Sequence, residues 1–298
     1  MDSHTASLRD LWNRFFFKEA FQPCCGIFRI AYATLLLINV LVWWPDLNQW
    51  FGESGVLDFA SSRTVIDADT ITLFAWLPKT GVVLWGAYFL LIGHLLLLLV
   101  GFYTRVQAFG VFIWFTSFQH RNLLIFDGED YLFRLFAFLL ILLPAGKYFA
   151  LDSRRESDRA VYPIWPLRLA QLQLTVVYIS TAWEKLRGSD WVDGLAVYYA
   201  SRLDGIFGRF PLPGVLLESL FLMKLLTWLV LVLECFIPLG LWFKETRRWA
   251  IVSACFLHLS LEYTMNLFLF QWLMLASLIL FLDRPPWRKG ALMSKSLN

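Results

Sequence analysis

Lys185 is the ionisable residue whose position in the sequence best suits chemistry. It ends an apolar segment that begins near Leu167, and Gln171, Thr175 and Tyr178 fall near the same face of the predicted helix as the lysine. A polar stripe on an apolar helix is expected to face other helices or a wet cavity. A lysine there can lose its proton and act as a general base, because burial disfavours the ammonium form.

The same pattern has a structural interpretation. The ammonium group of Lys185 could reach the lipid headgroups, or it could pair with Glu184 or with an acidic loop residue. Glu184 favours this interpretation, since a neighbouring carboxylate keeps a lysine charged. On the pattern alone, the structural interpretation is the better one.

Two further polar clusters lie in apolar surroundings. His258, Glu262 and Asn266 are spaced by four residues, which places them near one helix face. The pattern fits an acid–base pair of His258 and Glu262 and, equally, structural hydrogen bonds between helices. Asp130 and Arg134 are also four residues apart, and an ion pair between them at the start of a helix is the favoured interpretation.

The remaining buried groups are given structural roles. Glu234 lies within an apolar segment and is expected to pair with Lys224, Arg29 or another buried donor. The sequence predicts no metal site, because its cysteines show neither CxxC nor Cys/His spacing. These cysteines are Cys24, Cys25, Cys235 and Cys255.

The composition indicates a membrane protein. Hydrophobic residues make up 58% of the 298 residues, charged residues 16%, and the mean hydropathy is +0.59. This excludes an ordinary cytosolic enzyme, a disordered chain and a nucleic-acid module, because soluble domains have about a quarter charged residues. Eight apolar segments are predicted to form helices. They are Cys25–Trp44, Gly81–Phe102, Val106–Phe126, Tyr131–Ala150, Leu167–Trp183, Phe221–Phe243, Trp249–Thr264 and Asn266–Leu282.

We therefore predict one all-α domain over residues 1–298, a multi-pass bundle of about eight membrane helices. Basic residues concentrate on one side and acids on the other, which places both termini in the cytoplasm. Residues 1–20 are expected to form an amphipathic segment on the cytoplasmic membrane surface, and residues 45–80 and 186–220 form long outer loops. Residues 249–283 are either two short spans, which we favour, or one span and a re-entrant segment.

Several motifs resemble signatures of the horizontally transferred transmembrane domain (HTTM) family. In the segment RNLLIFDGEDYLFRLFAFLLILLPAGKYFALD, the family pattern matches Arg121, Asn122, Gly128, Asp130, Pro144, Gly146, Leu151 and Asp152. In VVYISTAWEKLRGSDWVDG, it matches Tyr178, Lys185, Leu186, Gly188, Trp191 and Gly194. GIFRIAYA, GFYTR and MNLFLFQWLMLA are similar to further motifs, so the resemblance extends from Gly26 to about Leu282.

The resemblance implies chemistry like that of the vitamin K-dependent γ-carboxylases, which are relatives in this family. They use reduced vitamin K, O2 and CO2, and a lysine in the context of Lys185 deprotonates the hydroquinone. The predicted topology places Lys185 on the outer side, which shifts our interpretation to a functional lysine. The implied candidates are Lys185, Tyr178, Asp130, His258 and Glu262 for catalysis and Trp191, Arg134 and Asn266 for cofactor binding.

The chain also departs from the carboxylases. Gly128, Glu129 and Asp130 stand where the carboxylases have an Asn-His pair, and the chain ends at Asn298 without their large soluble region. We therefore expect a bacterial cell-membrane protein that acts on a quinol-like molecule, with lyase or oxidoreductase chemistry, and not on a recruited protein. The alternative is a non-enzymatic partner for maturation, export or immunity of a small secreted peptide. The expected partners are the lipid bilayer and either a quinone or a small secreted peptide, and nucleic acid is not expected.

Overall fold

The computed structural model describes residues 7–65, 71–155, 160–203, 205–210 and 213–282, which are mainly α-helical, as the sequence predicts. The chain forms two compact units. The N-terminal unit comprises the described residues up to Leu169, and the C-terminal unit comprises Ala170–Phe281. The prediction of one domain over residues 1–298 stays a prediction.

The N-terminal unit contains seven α-helices among its described residues, before the long helix α8 (Trp165–Arg187). They are α1 (Leu8–Phe16), α2 (Pro23–Val42), α3 (Leu47–Phe51), α4 (Phe59–Val65), α5 (Gly81–Val100), α6 (Thr104–Gln119) and α7 (Gly128–Leu142). Two short strands, β1 (Glu19–Ala20) and β2 (Tyr162–Pro163), pair antiparallel, with Glu19 opposite Pro163. Helices α2, α5, α6 and α7 pack in sequence around buried aromatic rings, among them Phe28, Tyr32, Phe115, Phe133 and Phe136.

The C-terminal unit is built from the following helices. They are α8 (Trp165–Arg187), which begins in the first unit, α9 (Ser189–Val192), α10 (Ala196–Ala200), α11 (Gly214–Glu218), α12 (Leu220–Gly240), α13 (Lys244–Thr264) and α14 (Phe270–Ser277). A 3-10 helix over Leu278–Phe281 continues α14. Helix α13 packs against both α12 and α14, and α10 packs against α12.

Each of the eight apolar segments coincides with a helix, but several ends differ from the prediction. Helix α6 ends at Gln119, before the predicted Phe126, and α7 ends at Leu142, close to Pro144. Helix α13 ends at Thr264, and Met265 is extended, so Asn266 does not continue the helix face of His258. The placement of Asn266 on that face is therefore wrong.

Three stretches of helix among the described residues are long and apolar enough to cross a membrane. By length and composition they are Pro23–Phe51, Gly81–Val100 and Leu220–Gly240. Phe270–Phe281 is apolar but shorter than the roughly 20 residues that a membrane crossing needs. These stretches support membrane insertion, whereas the count of eight spans stays a prediction.

Candidate polar site of the C-terminal unit

Lys185 and Glu234 form an ion pair between α8 and α12. The Nζ atom of Lys185 lies 2.9 Å from both carboxylate oxygens of Glu234. Their side chains are 22% and 9% exposed, so the pair is largely shielded from solvent. The ring centroid of Trp191, in α9, lies 5.2 Å from the same Nζ, close enough for a cation–π contact.

This geometry identifies a partner of Lys185 that the sequence did not reveal. Glu184, the neighbouring acid, lies 3.7 Å from Arg187 instead, and both of those side chains are exposed. The prediction that Glu234 pairs with a buried donor is confirmed, and this donor is Lys185, 49 residues earlier in the chain, and not Lys224 or Arg29. The contact of its ammonium group with both carboxylate oxygens makes Lys185 one half of an ion pair, which agrees with the structural interpretation of the pattern.

Tyr178, His258 and Gln271 form a buried chain of hydrogen bonds that joins α8, α13 and α14. The Tyr178 hydroxyl lies 2.6 Å from His258 Nε2, and His258 Nδ1 lies 2.6 Å from Gln271 Oε1. Because an amide oxygen only accepts, Nδ1 carries a proton, and a neutral ring then accepts the tyrosine hydroxyl at Nε2. Gln271 was missed by the sequence analysis, although a glutamine in an apolar segment was the available signal.

Glu262 has partners other than His258. Arg209 forms an ion pair with it, and Trp272 Nε1 donates to its Oε1 at 3.0 Å. Asn266 donates from its backbone to the Ile206 carbonyl at 2.7 Å, which fixes residues 205–210 to the end of α13. His258 and Glu262 thus share one helix but belong to two different hydrogen-bonded groups.

Asp130 and Arg134 lie in the N-terminal unit, and the expected ion pair between them is not formed. The Asp130 carboxylate accepts a hydrogen bond from the backbone amide of Asp127 at 3.2 Å, as part of a capping box. It also accepts one from the side-chain amide of Asn39 at 3.2 Å. Arg134 instead lies 2.9 Å from His120 Nε2. The capping geometry explains this difference, because a carboxylate that reaches back to the helix start is directed away from the following turn.

Comparison with known proteins agrees with a membrane-protein class, and the chain belongs to the HTTM domain family. The family profile matches residues 22–287. The chain is 25% identical to the sporulation-delaying protein SdpB of Bacillus subtilis over 65% of its own length and 62% of that protein. It is 27% identical to the uncharacterized protein YitO of the same organism, over 64% of each chain.

The alignments span a little under two thirds of the length of these curated relatives. No solved structure matches the chain. The resemblance to the HTTM family that the motifs indicate is thereby confirmed, and the bacterial relatives fit a bacterial membrane protein.

Proposed function

We propose that this chain is a bacterial cell-membrane protein of eight spans whose C-terminal unit takes a proton from a lipid-soluble quinol-like substrate on the outer side. The observation that carries this proposal is the Lys185–Glu234 pair beside the ring of Trp191. The flat ring, the ammonium donor and the carboxylate acceptor match the aromatic ring and hydroxyl group of a quinol. Vitamin K hydroquinone is the example that the family resemblance implies.

The pair changes the role first considered for the lysine. A charged ammonium has no free lone pair, so in the ion pair the proton acceptor is the Glu234 carboxylate. The O–H bond of the quinol breaks, the proton joins Glu234, and the quinolate oxygen remains beside the Lys185 ammonium. Attraction between these two charges favours the step, because electrostatic interactions are strong where water is scarce.

The hydrogen-bonded chain of Tyr178, His258 and Gln271 holds α8 about two turns before Lys185. Tyr178 precedes Lys185 by seven residues, about 10 Å along a helix. We assign this chain a positioning role, because it joins the helix that carries the lysine to α13 and α14. Glu262 and Asn266 hold residues 205–210, Asp130 stabilises the start of α7, and Arg134 joins α7 to His120 at the end of α6.

Quinol oxidation by O2 in proteoliposomes tests this function. The wild type is compared with Lys185→Met, Glu234→Gln and Glu184→Gln, the last being a matched control because Glu184 is exposed. We expect Glu234→Gln and Lys185→Met to lower the rate by about 100-fold, the usual contribution of a positioned base, and Glu184→Gln to leave it unchanged. Equal rates for all four proteins and for empty liposomes would exclude the proposal.

A second candidate function is that of a non-enzymatic membrane partner for maturation, export or immunity of a small secreted peptide. It is favoured by the similarity to a relative named as a sporulation-delaying protein, and by the pairing of Lys185, which leaves no free amine. Deletion of this gene would then reduce the yield of, or the resistance to, a peptide encoded nearby. Complementation with the double variant Lys185→Met plus Glu234→Leu would restore the wild-type yield or resistance, whereas the quinol function would be lost.

A further inference from the structure

A cavity of about 180 Å³ lies in the N-terminal unit, among the segments that connect α2 to α5. Its wall includes Glu53, Phe59, Lys79 and the first turn of α5, and Arg121 completes it from beyond the end of α6. All lining residues belong to the N-terminal unit. The cavity is therefore separate from the residues proposed to act on a quinol.

Arg121 brings a buried positive charge to this cavity. Its side chain is 3% exposed and donates to the carbonyls of Gly52, at 2.9 Å, and Leu57, at 3.0 Å. Within the part of the chain that the structure describes, no carboxylate lies within ion-pair distance of this guanidinium. Two neutral carbonyls satisfy its donors, and the carboxylates of Glu53 and Asp58 act on the guanidinium only from beyond ion-pair distance. The buried charge is therefore only partly compensated, and such a charge is costly.

Lys79 and α5 add further positive potential. The Lys79 Nζ atom lies 4.3 Å from the ring centroid of Phe59, and the Arg121 guanidinium carbon lies 5.6 Å from the same centroid. Thr80 caps α5, a helix of 20 residues whose dipole is positive at this end. Glu53 is the acidic residue in the lining, and its side chain is exposed.

We propose that this cavity binds a phosphate group, carried by a lipid headgroup or by a small soluble phosphate. A guanidinium fork, an ammonium group and a helix N-terminus are the protein groups that bind phosphate most often. Ile71, Trp76 and Val82 are exposed apolar side chains of the same segments, which suits the membrane–water interface where lipid phosphates lie. A bound phosphate adds a negative charge beside Arg121 to the more distant ones of Glu53 and Asp58.

Calorimetric titration of the full-length, delipidated protein in detergent tests the proposal. The probes are dioctanoyl phosphatidic acid, inorganic phosphate and dioctanoylglycerol, which has the same chains but lacks phosphate. The variants are Lys79→Met, Glu53→Gln and the control Lys18→Met, an exposed lysine outside the cavity. None of these side chains is buried, so each variant is expected to keep the wild-type melting temperature.

We expect phosphatidic acid to bind and dioctanoylglycerol not to bind. Lys79→Met should raise the dissociation constant about fivefold, and Glu53→Gln should lower it about threefold, because one removes an attractive charge and the other a repulsive one. Binding of inorganic phosphate as well identifies the phosphate group itself as the ligand, whereas binding of the lipid alone identifies a headgroup site. No binding of either phosphate, or unchanged constants in both variants, overturns the proposal.

Discussion

Arg29 carries a positive charge on a side chain with no exposed surface. Its guanidinium donates to the carbonyls of Ala145, at 2.7 Å, and Phe149, at 2.6 Å, which lie just after α7. Ala145 begins a short 3-10 helix and Phe149 has a positive φ angle, so neither carbonyl lies within an α-helix. A single residue of α2 thus satisfies and anchors the connection that follows α7.

Replacement of Arg29 by methionine should lower the free energy of unfolding by about 3 kcal/mol, because buried carbonyls lose charge-assisted hydrogen bonds. Denaturation in a harsh detergent, followed by tryptophan fluorescence, measures this loss. The matched control is Arg105→Met on α6, where the side chain is exposed and little change is expected. Equal stability of the two variants would show that the hydrogen bonds of Arg29 contribute little.

The Lys185–Glu234 pair should show strong coupling in stability. Either single variant, Lys185→Met or Glu234→Leu, leaves a shielded charge without its partner and should cost about 3 kcal/mol. The double variant should cost much less than the sum, since both charges are gone. A double-mutant cycle by the same unfolding measurement checks this, and additive losses would contradict the pairing.

Residue patterns predicted which polar side chains face other helices, but they did not predict which residues these side chains contact. The stripe along α8 correctly marked Tyr178 and Lys185 as residues that face other helices. Their partners, His258 and Glu234, lie 80 and 49 residues further along the chain, and periodicity within one helix carries no information about such distances. The predicted ion pair between Asp130 and Arg134 is wrong for a local reason. The Asp130 carboxylate caps the start of α7 and is therefore not directed toward the residue four positions later.

At the scale of elements, α6 begins with a cap supplied from a distant part of the chain. Gly101 and Tyr103 both have positive φ angles, which turn the chain sharply between α5 and α6. Asp152 then accepts hydrogen bonds from the amides of Tyr103, at 2.9 Å, and Thr104, at 3.0 Å, and from the Thr104 hydroxyl at 3.0 Å. The segment after α7 is thereby fixed to the start of α6.

This cap should make stability depend on pH. Burial by itself would raise the pKa of Asp152, but the hydrogen bonds from Thr104 and Tyr103 outweigh it and lower the pKa below its ordinary value. A lowered pKa means that the stabilisation is complete above the unfolded value of about 4 and is lost as the pH falls through the folded value. Melting temperatures of the wild type and Asp152→Asn should therefore differ at pH 7 and converge toward pH 3. A constant difference would exclude a charged cap.

Helix positions follow from hydropathy more directly than helix ends do. All eight apolar segments contain helix, because a run of apolar residues must satisfy its backbone internally. The end of α13 depends instead on the extended residue Met265 and its bridge to Phe207, a contact between distant segments. Such tertiary contacts explain why Asn266 was assigned to the wrong face.

For the whole molecule, the predicted eight spans place residues near Gly188 outside and residue Asn298 inside. Alkaline phosphatase fused after Gly188 should therefore be active, and the same enzyme fused after Asn298 should be inactive. A fluorescent-protein fusion, which matures in the cytoplasm, should give the opposite result at each site. An active phosphatase at both positions would contradict the three spans predicted after Gly188, and with them the common cytoplasmic location of the termini.

The order in which the pair forms during synthesis follows from its two positions. Lys185 leaves the ribosome 49 residues before Glu234, a delay of a few seconds at ordinary rates of translation. Because the lysine is close to the end of α8, at Arg187, its long chain can keep the ammonium in water during that interval. Glu234 lies well inside α12 and has no such route to water, so it enters the membrane when its counter-ion is already present. The charge that cannot reach water, Glu234, is thus synthesised after Lys185. This order shortens the time that an unpaired carboxylate spends in lipid.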